Sequence, residues 1–104
     1  MRIEELERRL GVGELVILDE VAWRGIAPEL EVVARHETFV AGDLVVVRTA
    51  AGLAAVERPE EGRRVIRPLG DAGRAEAFVL GRLEAYERMW DGCGCRVDYY
   101  DPAG

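Results

Sequence analysis

The chain contains no lysine, serine, asparagine or glutamine, and only one histidine, His36. These absences exclude more chemistry than the remaining residues suggest. Without Lys and Ser there is no P-loop of the GK[ST] type, no Schiff-base lysine and no serine nucleophile. Side-chain nucleophiles reduce to Cys93, Cys95, Thr38 and Thr49. A single imidazole cannot build a multi-histidine metal site within one chain. All fourteen basic residues are Arg. Absence of the thermolabile amides fits a thermophile, and Arg without Lys fits GC-rich DNA. A melting temperature in the mesophile range would overturn that expectation.

No apolar run approaches the ~18–20 residues of a membrane span. The opening "MRIEELERRL" carries charges through its first turns, where a secretory signal would have an apolar stretch. The expectation is a soluble, cytoplasmic protein with no membrane partner. A net charge of −6 argues against nucleic acid, whose phosphates need a basic footprint. The charge is uneven. Residues 1–31 hold four Arg against eight acidic residues, 58–74 five against three, and 84–104 two against five. Such bipolarity can orient subunits in an oligomer.

At 104 residues the chain suits one domain, 1–104, burying roughly 65% of its unfolded surface, and no internal repeat or linker divides it. Ile3, Leu6 and Leu10 fall on one face of a short amphipathic helix, with Glu4/Arg8 and Glu5/Arg9 in the favourable order and Gly11 and Gly13 as its stop. Residues 15–18 read as a buried strand, and Pro28 as a turn or the start of a short helical turn. From 32 to 40, strict alternation puts Val32, Ala34 and His36 on one face and Val33 and Arg35 on the other.

"GDLVVVRTAAGLAAVERPEEGRRVIRPLGD" carries the clearest signal. Strands over 44–49 and 53–58 flank "AAG", a three-residue loop with a left-handed glycine last, and "PEEG" turns the chain into a strand over 63–67. In that strand Arg63 and Arg67 share a face opposite Arg64, as on a charge-guarded edge. Asp71 reads as the N-cap of a helix over about 72–90, in which Ala75, Val79, Leu83, Tyr86 and Trp90 form the core stripe and Gly92 the stop. The fold expected is α+β: an antiparallel sheet of four to five strands, with a meander at about 32–67, covered by the long C-terminal helix and joined by the short N-terminal one.

Both cysteines lie in "DGCGC", directly after that helix. One reading makes Cys93 and Cys95 small packed hydrophobes. A second makes them metal ligands, for zinc or another thiolate-binding metal, with His36, Asp91 or Asp98 in the shell, or with a second Cys pair brought by a dimer. A third closes them to a strained, easily reduced disulfide across Gly94. A helix C-terminus presents partial negative charge, which disfavours a reactive thiolate and suits a cation. Stoichiometric metal on the untagged chain, lost when both cysteines become Ala, would mark a ligand motif; no metal in either leaves packing.

His36 alone on an apolar strand face is more often a core residue than a ligand. No pair of carboxylates stands out as acid and base. The sequence therefore predicts a small non-enzymatic binding or interaction protein, self-associating as a homodimer, with Trp23, Trp90, Tyr99 and Tyr100 as aromatics available to an interface. The alternative is a metal-binding or thiol-redox protein built on Cys93, Cys95 and His36.

Overall fold

The computed structural model describes residues 1–37, 43–59 and 62–92, with side chains described as far as Arg88. Its elements are α1 (Ile3–Gly11), β1 (Val16–Asp19), α2 (Glu20–Ile26), β2 (Glu31–His36), β3 (Leu44–Thr49), β4 (Gly52–Glu57), β5 (Arg63–Gly70) and α3 (Ala72–Gly92). A 3-10 turn at Ala27–Glu29, with Pro28 in its first positions, links α2 to β2.

The five strands form one antiparallel sheet in the order β1-β5-β4-β3-β2. β5 is therefore flanked by β1 and β4, not an edge, and its arginines have specific partners. Strand alternation gives the sheet two apolar faces. Val45, Val47, Ala54, Val56 and Ile66 point one way and pack with Leu6 and Leu10 of α1, Val16 and Leu18 of β1, and Ile26 of α2. Leu44, Val46, Ala55 and Leu69 point the other way, onto Ala75 and Val79 of α3. The two terminal helices thus lie on opposite faces.

Local chemistry explains the boundaries. Asp19 accepts a hydrogen bond from the Ala22 amide at 2.8 Å and Asp71 one from Arg74 at 2.9 Å, so both α2 and α3 start on an aspartate cap. α1 has Glu4 and Glu5 in its first turn and Arg8 and Arg9 in its last, as its dipole favours. Arg9 turns out of the helix to pair with Glu14, and Glu7 accepts from the Ala50 amide at 2.7 Å, tying α1 to the β3–β4 turn.

That turn is tighter than the sequence suggests, because Thr49 pairs with Gly52 and only two residues lie between them. Gly52 has φ +110°, and a Cβ there would stand 2.9 Å from the Gly70 carbonyl oxygen. Glycine is required on both counts. Pro68 is tolerated because it lies beyond the β1 pairing, which ends at Val16–Ile66, and at a register shift against β4.

Candidate functional site

Three places hold polar or exposed groups that the core does not account for. The first is under α3. Alternation along β4 places Glu57 on the same face as Ala55, so a carboxylate is carried inside, 8% exposed. The Tyr86 hydroxyl donates to its Oε2 at 2.6 Å, and Arg82 Nε lies 2.8 Å from the same oxygen. The Arg82 N–H does not point along that line, so its buried Nε makes no hydrogen bond among the described residues, and nor does that of Arg67. Both guanidinium groups lie by the Phe78 ring, at 5.5 Å for Arg67 and 4.8 Å for Arg82. Burial first, then the hydrogen bond and charge of Glu57, push the Tyr86 phenol well above its ordinary range, against the opposing pull of Arg82. This cluster ties α3 to β4 and β5 at one end of the helix.

The second place is at the other side of α3, where the helix leaves β2 uncovered. A groove of about 290 Å³ runs between them, with Ala34, Val46 and Leu53 on the sheet side and Ala75, Val79 and Leu80 on the helix side. Leu80 is 57% exposed and Val33 38%. β2 is also an edge of the sheet. A bulge between Val32 and Ala34 breaks the strict alternation that the sequence suggests. Val32 pairs with Val47 on the α1 face, whereas Ala34 and His36 pair with Val46 and Leu44 on the α3 face. Val33 joins Ala34 in lining the groove, so two consecutive residues meet it there.

The third place is a cleft of about 440 Å³ on the α1 and α2 face, between α2 and the β2 side of the sheet. Trp23 is one wall, and Arg64 lies over its ring at 5.6 Å. The Arg64 guanidinium donates to both Glu20 oxygens, at 2.9 and 3.3 Å. Across the cleft Arg35 pairs with Asp43 at 3.0 Å.

Of the residues singled out from sequence, His36 lies half-buried in the β2–α3 groove, beside Glu76. Cys93, Cys95 and Asp98 lie outside the described residues, and the side chain of Asp91 is not described. Among the described residues no three His, Cys, Asp or Glu side chains come close enough to hold a metal ion. No helix among them is long and apolar enough to cross a membrane.

Sequence reading missed the Glu57–Tyr86–Arg82 cluster and the Arg64–Glu20–Trp23 contact. A signal for the first exists: Phe78, Arg82 and Tyr86 repeat every four residues, and Glu57 closes an otherwise apolar strand face of Leu53 and Ala55. The second joins residues 44 apart in sequence, which no local pattern reveals. Comparison with known proteins finds no matching family model, curated protein or solved structure.

Proposed function

We propose that this chain is a non-enzymatic interaction protein that works as a symmetric homodimer, joined along the β2 edge. The observation that carries this reading is the coincidence, among the described residues, of an open sheet edge with an exposed apolar groove beside it. An unpaired edge presents backbone donors and acceptors to another strand, and an exposed apolar patch next to it favours burial by a partner.

A second copy is the partner whose chemistry fits. Two β2 strands run antiparallel about a two-fold axis between Val33 and Ala34 would set Glu31 opposite His36 of the second copy, and Val32 opposite its Arg35. The faces agree in this register: Glu31 pairs with Arg48 on the α3 side, where His36 also lies, while Val32 and Arg35 share the other side. The contact is isologous, as a two-fold requires. Within β2 Glu31 is offset by Arg35, so the strand is neutral in a chain of net charge −6. Repulsion between acidic copies is therefore small along this strand. The same axis places Val33 and Leu80 of each copy beside those of the other, covering both grooves.

Light scattering coupled to size exclusion tests the reading. The wild type should run as a dimer at micromolar concentration. Val33→Glu combined with Leu80→Glu should run as a monomer with an unchanged far-UV circular dichroism spectrum, because both side chains are exposed. A monomeric wild type, or a double variant that dimerises as well as the wild type, would refute it.

A further inference from the structure

The cleft beside Trp23 has charged walls over core valines, and neither the core nor the β2 edge explains those walls. Its floor is three valines, Val45, Val47 and Val56, and its wall is the Trp23 indole. Charged groups of both signs stand around this floor: Arg35 with its partner Asp43, Glu57, Arg58 and Arg64. Arg64 is fixed by its two bonds to Glu20 and by the Trp23 ring, with its side chain 15% exposed. Arg58 also lines the cleft, is exposed, and forms no ion pair among the described residues. With no ion pair among the described residues, the Arg58 guanidinium at the mouth of the cleft is open to an anion.

We propose that this cleft binds a small organic acid, with its anionic oxygens on Arg58 and its apolar body on the valine floor against Trp23. The volume of about 440 Å³ falls within the range of small-molecule sites, which combine apolar walls with a few placed polar groups. Guanidinium groups match the paired oxygens of carboxylate and phosphate alike. An inorganic anion would leave the floor unused. Arg64 lends positive potential, but its donors are engaged by Glu20, so Arg58 is the group that takes the ligand. The inference does not rest on the dimer: Val32 and Arg35 of β2 also line the cleft, but Trp23, Arg58 and Arg64, which carry it, lie off β2.

Benzoate, phenyl phosphate and the neutral benzamide are the probes. In a Trp90→Phe background the one remaining indole N–H resonance reports Trp23. Titration with benzoate or phenyl phosphate should shift that resonance with millimolar affinity, and benzamide should bind at least about tenfold more weakly, the weight of one charge-assisted hydrogen bond. Tighter binding of benzoate identifies carboxylic acids as the ligand class, and tighter binding of phenyl phosphate identifies phosphorylated ones. Arg58→Gln should weaken the preferred acid by about tenfold or more. The inference is overturned if neither acid shifts the resonance at about 10 mM, if benzamide binds as well as both acids, or if Arg58→Gln binds like its parent. Should Arg58→Gln lose its native spectrum, the ratio of acid to benzamide decides alone.

Discussion

The two faces of the sheet are covered in different ways. On one, α1 and α2 close over Val47, Ala54, Val56 and Ile66, and Leu6, Val16, Ile26 and Ile66 reach 0% exposure. Among the described residues, α3 alone covers the other. It buries only Ala75 and Val79 of its own described side chains, holds one end by a buried carboxylate, and leaves Leu80 and Val33 at the surface. A domain needs enough buried apolar area to offset the entropy of ordering, and that area need not be shared equally. The first face supplies most of it. The second is then free to carry groups whose cost is tolerated, an internal ion and an exposed groove.

The sharpest way to break this comparison is the same truncation on both faces. Leu6→Ala removes a fully buried side chain from the closed face and should cost about 3 kcal/mol or more, transfer and cavity terms together. Leu83→Ala acts on a half-buried side chain at the margin of the α3 cluster, where water or neighbours can fill the space, and should cost about 1–2 kcal/mol. Urea denaturation of both variants measures the difference. Equal losses would mean that α3 is as firmly packed as α1, and the asymmetry would fall.

The elements that were legible in the sequence are those with a long or repeated pattern. β3, β4, β5 and α3 were each placed within a few residues, because the turns "AAG" and "PEEG" punctuate the strand runs, three-and-four spacing continues along α3 and Asp71 signals its start. α2 was not foreseen. Its seven residues, "EVAWRGI", contain Gly25 and a β-branched Val21, weak local helix formers, and it forms because Asp19 caps it and Ile26 finds the core. The bulge at Val33 was equally invisible, since it depends on how β2 meets β3 and not on either strand alone. For the same reason β5 looked like a charged edge. Only the pairing with β1 shows that Arg64 is there for Glu20 and Trp23. Of the candidate site residues, His36 was rightly given to an apolar side, while its groove needs Leu80 and Val79 from a distant helix.

A smaller effect sharpens the comparison at the polar end of the α3 face. Tyr86→Phe removes the hydroxyl that donates to Glu57 but leaves Arg82 beside the carboxylate, so the loss should be about 1 kcal/mol near neutral pH. Its pH dependence is the diagnostic part. In the unfolded chain a tyrosine ionises near pH 10, whereas folded Tyr86 holds its proton to higher pH. Between those values unfolding releases a proton, so the contribution of Tyr86 is whole below about pH 10 and declines as pH rises above it. The stability gap between the wild type and Tyr86→Phe should therefore be constant from neutral pH to about 9.5 and shrink by pH 11. A gap that stayed level to pH 11 would mean that Tyr86 ionises in the folded protein as it does in the unfolded one. The bond to Glu57 would then not favour the protonated phenol, and Arg82 together with apolar contacts would be what holds α3 to the sheet there.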